Sequence, residues 1–222
     1  MTESAVMQGT PALRYRVLTP LYDFFIRLLM PEREMRGVLA EQIAPRPGMR
    51  VLDLGCGTGT FAIMLARAHP EAEVIGIDPD PDIVRMAERK AARATAGLVL
   101  KVAGAEALPF DQGAFDVVAS TLVFHHLPPA VKREALREAL HVLRPGGRLL
   151  ILDFSRPDGP MQAIFGYAAA FLDGLATTGE NIAGKIPDLM REAGFAEVRE
   201  TYVRRTLFGT LHLYEGKKED SL

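Results

Sequence analysis

The chain has 222 residues, of which 48% are hydrophobic, and carries a formal net charge of −2 at pH 7. This length is enough for one sizeable hydrophobic core, and the near-neutral charge argues against a general nucleic-acid binder, which would usually be basic. The single cysteine excludes an intramolecular disulfide, and with no signal-peptide pattern it predicts a reducing, cytoplasmic setting. No apolar run approaches the roughly 20 residues that span a bilayer, which leaves peripheral membrane contact open.

The first 45 residues predict a helical cap. Apolar residues recur at helical spacing between positions 11 and 30, and Pro20 interrupts them, so we expect two short helices there. A further helix is predicted over residues 32–43, where Arg33 or Arg36 either meets a ligand carboxylate or lies on a solvated face. We therefore expect a cap over residues 1–45, a single domain over 46–216 and a loose tail over 217–222.

A predicted strand over residues 51–54 ends in a glycine-rich turn that contains Gly55, Cys56, Gly57 and Gly59, and a helical pattern follows at once. Glycine has no Cβ, so the backbone can take positive φ and a ligand can approach it closely. This order of strand, turn and helix is typical of the ligand-binding corner of a doubly wound α/β sheet. The backbone of Cys56 is expected to matter more than its thiol, because no base partner is evident nearby.

The spacing and charge around this turn indicate the class of ligand. The glycines follow G-x-G-x-G, and Thr60 stands where the dinucleotide fingerprint has its third glycine. Asp53 would repel a diphosphate and attract an ammonium group. Asp78 ends the next strand about twenty residues later, where a carboxylate meets ribose hydroxyls. S-adenosylmethionine fits a ligand with a ribose and a cationic amine, and NAD fits less well.

The rest of the chain alternates between predicted helices and strands. The expected helices cover residues 60–69, 81–94, 130–142 and 181–193, and Asp80 is the expected cap of the second. The expected strands cover residues 73–78, 98–103, 115–121, 148–154, 195–206 and 207–214. A turn near Arg204 and Arg205 is expected to join the last two strands. This pattern predicts an α/β fold with a Rossmann-like, doubly wound, mostly parallel seven-stranded sheet, helices on both faces and an antiparallel C-terminal hairpin. The insertion over about 155–184 contains an all-round apolar helix at 161–172, which predicts a lid over an apolar substrate, a dimer face or ordinary packing.

The end of the fourth strand holds the candidate catalytic residues. Thr121 closes this strand, and ligands in such sheets lie beyond the strand C-termini. His125 and His126 follow, and either can act as a general base because histidine titrates near working pH. The alternative is that His125 packs beside the ligand and His126 faces solvent. Asp153, at the end of the fifth strand, either lines the substrate pocket or closes the loop.

Five segments resemble, in order, the landmarks of the class I S-adenosylmethionine-dependent methyltransferases, and they lie at residues 51–60, 77–79, 105–110, 115–118 and 143–147. The similarity runs from about Tyr15 to Phe208, and Tyr22-Asp23 with Leu152-Asp153-Phe154 favours the ubiquinone/menaquinone-biosynthesis type. The resemblance implies cofactor contacts from Asp53, Gly55, Cys56, Gly57, Gly59, Asp78, Pro79, Ala105, Glu106, Thr121 and Tyr22, the last near the sulfonium.

One position departs from the pattern of the resembled family. Many relatives carry an acid where this chain has Gly104, and that acid binds the adenine amino group. The backbone around Ala105, or the side chain of Glu106, would have to take its place here. Glu106 can equally be a surface residue on the turn.

The predicted function is methyl transfer to a small, apolar organic acceptor, at a quinol-like carbon or a phenolic oxygen. Motifs for methylation of DNA adenine or cytosine are absent from the sequence, and no acid ends the fourth strand to help bind Mg²⁺, so we expect no nucleic-acid substrate and no metal. His125, His126 and Tyr22 are the candidate bases, and a homodimer is left open. A non-catalytic S-adenosylmethionine-binding interaction protein and an NAD-dependent oxidoreductase are the alternatives.

Overall fold

A computed structural model of the protein describes residues 32–164, 175–206 and 209–220. The predicted N-terminal helices, with Tyr15, Tyr22 and Asp23, lie outside the described residues. Most of the apolar segment 161–172 lies outside them as well, so its predicted role as a lid or dimer face is not addressed by the fold. In the part of the chain that the structure does describe, no helix combines the length and apolar character needed to cross a bilayer.

Seven strands form one sheet in the order β3-β2-β1-β4-β5-β7-β6. Their bounds are β1 Arg50–Leu54, β2 Glu73–Asp78, β3 Val99–Val102, β4 Phe115–Thr121, β5 Leu143–Ser155, β6 Ala196–Arg205 and β7 Thr210–Lys217. The first five strands pair in parallel, whereas β7 is antiparallel to both β5 and β6. The predicted doubly wound sheet with an antiparallel C-terminal hairpin is therefore confirmed.

Helices cover both faces of the sheet. They are α1 Glu32–Ile43, α2 Thr60–Ala68, α3 Pro81–Arg93, α4 Pro129–Val142, α5 Leu175–Ile182 and α6 Ile186–Glu192, with a short 3-10 helix at Phe124–His126. Alternate residues of each strand face opposite sides: Val51 packs in a cluster with α1 and α2, whereas Leu52 packs in a second cluster with α4 and α6. Asp80 caps α3 as predicted, since its side chain accepts the backbone N–H of Asp82 at 2.8 Å.

Two predicted elements differ from the observed ones in their bounds. The last helix was expected over residues 181–193, but it begins only at Ile186, because Gly184 takes a φ of +71° and separates it from α5. The hairpin turn, expected near Arg204 and Arg205, follows directly after them, because both residues belong to β6 and the Thr206 N–H donates to the Gly209 carbonyl. Charged residues are common on an edge strand such as β6, where they hinder pairing with another sheet, so their polarity did not mark a turn.

Strand β5 is longer than predicted, and β7 has the predicted length but lies three residues further along the chain. β7 continues to Lys217 and β5 begins at Leu143, so the Gly146-Gly147 pair lies inside the strand. Backbone hydrogen bonds from Gly146 N–H to the Lys218 carbonyl and from Lys218 N–H to the Gly147 carbonyl, at 3.0 and 2.8 Å, continue the ladder. The Lys218 ammonium also donates to the Leu140 and Leu143 carbonyls, at 2.8 and 2.6 Å.

Candidate functional site

A cleft of about 670 Å³ opens beyond the C-terminal ends of β1, β2 and β4. The strand order reverses between β1 and β4, and ligands of open α/β sheets bind at such a reversal. Among the predicted cofactor contacts, those that line the cleft are Asp53, Gly55, Cys56, Gly57, Asp78, Pro79, Ala105, Glu106 and Thr121. Gly59 lies outside the lining, and a Cβ on it would stand 3.1 Å from Ala87, so this glycine allows α2 and α3 to pack closely.

The glycine turn is fixed to the end of β2 by hydrogen bonds. The Cys56 N–H donates to the Ile77 carbonyl at 2.7 Å, and the Gly57 N–H donates to Asp78 Oδ2 at 3.0 Å. Gly57 has a φ of +53°, and no described atom lies within 4 Å of the position that its Cβ would take. Its backbone therefore faces open space in the cleft, and a ligand can lie directly against it.

Asp53 is a buried carboxylate on the wall of the cleft, with 2% exposure. Among the described residues, its Oδ2 atom has no hydrogen-bond partner. Burial raises the pKa of Asp53 from 3.8 to about 7, against the opposing effects of the Arg36 charge and the Ala62 backbone N–H. Such an atom is costly to leave unpaired, so this position favours a bound group that donates hydrogen bonds and carries positive charge.

Asp78 is held in one orientation by the backbone around it. Its Oδ1 accepts the Asp80 N–H and its Oδ2 accepts the Gly57 N–H, each at 3.0 Å. A carboxylate oxygen has more than one lone pair, so both oxygens retain acceptor capacity toward the cleft. This geometry suits a ligand with two neighbouring hydroxyl groups.

Glu106 folds back over Gly104. Its carboxylate oxygens lie 2.6 and 2.7 Å from the position that a Cβ on Gly104 would take, and the side chain lines the cleft. A larger residue at position 104 would therefore displace the Glu106 carboxylate. The position that is an acid in the resembled family is a glycine here, and a neighbouring acid covers it.

The chain leaves β4 through a strained residue that the sequence did not reveal. Leu122 has a φ of +59°, and its N–H donates to the Leu152 carbonyl at 2.9 Å. This backbone conformation costs a non-glycine residue about 1–3 kcal/mol. Thr121, just before it, has a buried hydroxyl without a hydrogen-bond partner among the described residues. Both residues line the cleft.

The two histidines occupy different environments. His126 lines the cleft, and the buried His125 lies beside it, with ring centroids 3.8 Å apart. His125 Nδ1 is 2.6 Å from Oδ1 of Asp153, which is fully buried. Desolvation of its ring, and secondarily the charge of His125, lowers the pKa of His126. His126 is nevertheless an exposed residue and His125 is buried, which agrees with the sequence-based alternative in which His125 packs and His126 faces solvent.

Arg36 lines the cleft from α1, whereas Arg33, the other arginine considered on this helix, does not line it.

Burial raises the pKa of the Cys56 thiol well above its usual range, so Cys56 contributes its backbone and not a thiolate nucleophile. Across the described ranges, no group of three or more His, Cys, Asp or Glu residues is arranged to hold a metal ion.

A family model described as a methyltransferase domain matches residues 51–147. The ubiquinone/menaquinone biosynthesis C-methyltransferase UbiE of Geobacter sulfurreducens is 32% identical over an alignment of 224 positions, which covers 90% of this chain and 85% of that protein. The chain belongs to the class I S-adenosylmethionine-dependent methyltransferases, of the UbiE type. The demethylmenaquinone methyltransferase of Thermus thermophilus is 40% identical over 63% of this chain, and UbiE of Syntrophotalea carbinolica is 36% identical over 66%. The chain spans only 64% and 62% of the lengths of these two relatives.

Two solved structures share the fold of this chain. The magnesium protoporphyrin IX methyltransferase ChlM of Synechocystis, solved with bound SAH, superposes with a TM-score of 0.68 at 21% identity and covers 85% of this chain and 84% of its own. The YcgJ protein of Bacillus subtilis gives a TM-score of 0.70 at 18% identity and covers 85% of this chain and 100% of its own. At these identities the likeness extends to the Rossmann-like architecture of the methyltransferase.

The cleft fits S-adenosylmethionine, the methyl donor of this family, on three observations. Asp53 Oδ2 is a buried acceptor without a partner among the described residues, which suits an ammonium group. Asp78 presents a fixed carboxylate, which suits a pair of hydroxyls. The N-terminus of α2, where Thr60 and Phe61 line the cleft, offers backbone N–H groups to a carboxylate.

Proposed function

We propose that this methyltransferase transfers a methyl group from S-adenosylmethionine to a quinol-like carbon or a phenolic oxygen of a small aromatic acceptor. The Asp53 Oδ2 atom in the cleft, which has no hydrogen-bond partner among the described residues, supports the choice of methyl donor in this proposal. The relatives named for ubiquinone, menaquinone and demethylmenaquinone methylation support the acceptor half. When bound, the donor supplies a methyl group that its sulfonium charge has already activated.

The residues around the cleft would bind and orient the donor. Asp53 would accept hydrogen bonds from its amine, and Asp78 would accept them from the ribose hydroxyls. Arg36 and the N-terminus of α2 would face its carboxylate, with Gly57 allowing the backbone to approach. Tyr22, which lies outside the described residues, stays a proposed contact near the sulfonium.

On the acceptor side, the chain would mainly position the reactants and exclude water. Leu122, Val123, His126 and Leu127 line the cleft beyond β4. Holding two reactants in line can supply roughly 7–11 kcal/mol of the barrier, so no protein nucleophile is required. A hydroxylated acceptor also loses a proton, and His125, His126 and Tyr22 are the proposed bases.

Calorimetry and a methyl-transfer assay together test this function. We expect micromolar binding of S-adenosylhomocysteine and no binding of NAD. We also expect transfer of labelled methyl from S-adenosylmethionine to one or more hydroquinones or naphthohydroquinones with an unsubstituted ring carbon. Tighter binding of NAD would support an oxidoreductase instead. Binding of S-adenosylhomocysteine without turnover across the panel would support a non-catalytic binding protein.

Cofactor binding should depend on pH through Asp53. Its pKa of about 7 in the unliganded cleft should fall when a cation binds beside it, so binding releases a proton. Apparent affinity for S-adenosylhomocysteine should then rise with pH, by about tenfold between pH 6 and pH 8. Titration in two buffers of different ionisation enthalpy at pH 7 should show release of about half a proton. In Asp53→Asn this pH dependence should vanish, and equal wild-type affinities at pH 6 and 8 would contradict the assignment.

Glu106 is proposed to recognise the amino group of adenine. Glu106→Ala should weaken binding of S-adenosylhomocysteine by about two- to twelvefold, because one hydrogen bond of the donor is lost. S-inosylhomocysteine, which has a carbonyl in place of that amino group, should bind wild type poorly and bind Glu106→Ala as well as the adenosine compound does. Glu88→Ala, an exposed acid on α3, serves as the matched control. An unchanged preference for adenine in Glu106→Ala would place recognition on the backbone around Ala105.

A further inference from the structure

Asp153 fixes the orientation of His125 through both of its carboxylate oxygens. Oδ2 accepts the His125 backbone N–H at 3.2 Å, and Oδ1 faces His125 Nδ1 at 2.6 Å. Oδ1 also accepts the Phe154 backbone N–H at 2.7 Å, and the Phe154 ring lies edge-on to the imidazole, with centroids 5.5 Å apart. The imidazole of His125 is therefore held in one place at the C-terminal ends of β4 and β5.

This contact decides which ring nitrogen of His125 can take up a proton. An ionised carboxylate only accepts hydrogen bonds, so Nδ1 must carry the hydrogen that faces Asp153. The other nitrogen, Nε2, is then a bare acceptor, and within the described residues it makes no hydrogen bond. The His125 side chain keeps 10% of its surface exposed.

We infer that His125, oriented by Asp153, is the base that takes the hydroxyl proton of the acceptor at Nε2. Asp153 is then a positioning residue, and His126 lines the cleft without taking up the proton. This inference rests on the proposed methyl transfer to a hydroxylated aromatic acceptor.

The proton balance of the reaction leaves one proton for a base to take up. The acceptor forms one bond to the methyl carbon, the methyl–sulfur bond breaks, and its electron pair stays on sulfur. In transfer to oxygen, the hydroxyl proton passes to Nε2. In transfer to carbon, the hydroxyl proton passes to Nε2, the ring carbon then loses its own proton, and the oxygen is reprotonated. Either way one proton leaves the acceptor, and an imidazolium beside Asp153 can hold it before it passes to water.

His126 is the less suitable of the two histidines. It lines the cleft and is exposed, and no carboxylate of the described residues forms a hydrogen bond or ion pair with its ring, so no such contact fixes which of its nitrogens carries the hydrogen. Its ring lies 3.8 Å from that of His125, and two adjacent imidazolium cations would repel each other. Asp153 contacts the ring of His125 directly, with Oδ1 2.6 Å from Nδ1, and orients that ring alone.

Other charged groups lie close to His125 and Asp153. Lys132 of α4 is buried, interacts electrostatically with Asp153 and Glu180, and donates to the Thr177 carbonyl at 2.5 Å. Burial lowers the pKa of Lys132, and Glu180 of α5 forms an ion pair with Arg133 at 2.8 Å. An activity profile against pH would therefore combine several groups, and the test must observe His125 itself.

Nitrogen NMR of the imidazole rings in the full chain, without acceptor, gives this direct observation. His125→Gln and His126→Gln assign the two signals. At pH 7.5 we expect His125 to be neutral with the hydrogen on Nδ1, and we expect Asp153→Asn to move it to Nε2 in a large fraction of molecules. A wild-type His125 that is protonated on Nε2, or on both nitrogens, would overturn the inference.

Turnover with a naphthohydroquinone gives the second readout. His125→Gln and Asp153→Asn should each lower kcat by about 100-fold or more, with the Kd for S-adenosylhomocysteine changed by less than about twofold. Asp158→Asn, which removes an exposed acid paired with Arg205, should leave kcat unchanged. The deficit of His125→Gln should shrink as pH approaches the acceptor's own pKa, about 10 for a phenol, because hydroxide then replaces the base.

The two failures are distinguishable. Absence of turnover by wild type with every hydroquinone would count against the proposed function, while the NMR result would still decide the state of His125. Wild-type kcat in His125→Gln, or a deficit that stays constant as the acceptor ionises, would show a structural role for the pair and would overturn the inference.

Discussion

Binding of S-adenosylhomocysteine should be lost in Gly57→Val, with a decrease in affinity of more than about 100-fold. The position of its Cβ opens into the cleft, so a valine side chain would occupy the space that the ligand needs. The backbone at Gly57 also has a φ of +53°, which is strained for a β-branched residue. Calorimetric titration measures the loss, and thermal unfolding measures the accompanying strain.

Gly48→Val is the matched control for this prediction. Gly48 lies in the turn before β1, has a φ of +78° and likewise has no described atom within 4 Å of its Cβ position. It does not line the cleft, so its valine variant carries the backbone strain without the obstruction. We expect Gly48→Val to unfold at a lower temperature but to bind like wild type. Retained binding in Gly57→Val, or equal losses in the two variants, would mean that the open side of the glycine turn does not receive the cofactor.

Removal of the Asp78 carboxylate is the second change with a large expected effect. Asp78→Ala should weaken binding by about 1.5–3 kcal/mol, or roughly 10- to 150-fold, because hydrogen bonds to an ionised acceptor are lost. The side chain also holds the Gly57 and Asp80 N–H groups, so part of this loss would come from loosening of the turn. Titration of the variant with S-adenosylhomocysteine measures the sum of both effects.

A double-mutant cycle separates the two contributions of Asp78. The 2′-deoxy analogue of S-adenosylhomocysteine lacks one ribose hydroxyl, so wild type should bind it more weakly than the parent compound. If Asp78 contacts that hydroxyl, Asp78→Ala should bind both compounds equally, since the interaction has already been removed. Asp82→Ala, an exposed acid one position into α3, controls for the change in charge. Full discrimination by Asp78→Ala would leave Asp78 with only its structural contacts.

Local patterns were sufficient to predict the sheet and the donor corner. The run of alternating strands and helices predicts a doubly wound fold because parallel strands need crossover helices. Asp53, Gly55, Gly57 and Asp78 are close in sequence to the ends of β1 and β2, and the ends of adjacent parallel strands meet at one edge. Their common place in the cleft therefore followed from the order of the elements alone.

The acceptor side depends on contacts that a sequence pattern does not contain. His125 and Asp153 could be placed at the same sheet edge, but the histidine that faces the cleft is decided by the 3-10 helix that follows the strained Leu122. The fold of Glu106 over Gly104 depends on a side-chain rotamer, and the approach of Arg36 depends on how α1 packs. The break between α5 and α6 depends on a single glycine conformation at Gly184.

Gly55 and Val123 meet where the two walls of the cleft come together. A Cβ on Gly55 would stand 2.5 Å from one methyl group of Val123 and 2.9 Å from the other. The Val123 side chain therefore leaves room only for a glycine at position 55. Laboratory evolution toward new acceptors would naturally vary position 123, which borders the acceptor side. Variants with a larger side chain at position 123 alone would clash with the glycine turn at Gly55. They would lose affinity for the cofactor as well as the original acceptor specificity. Smaller residues at 123 are open to such a search, whereas larger ones require the backbone of the turn to move first.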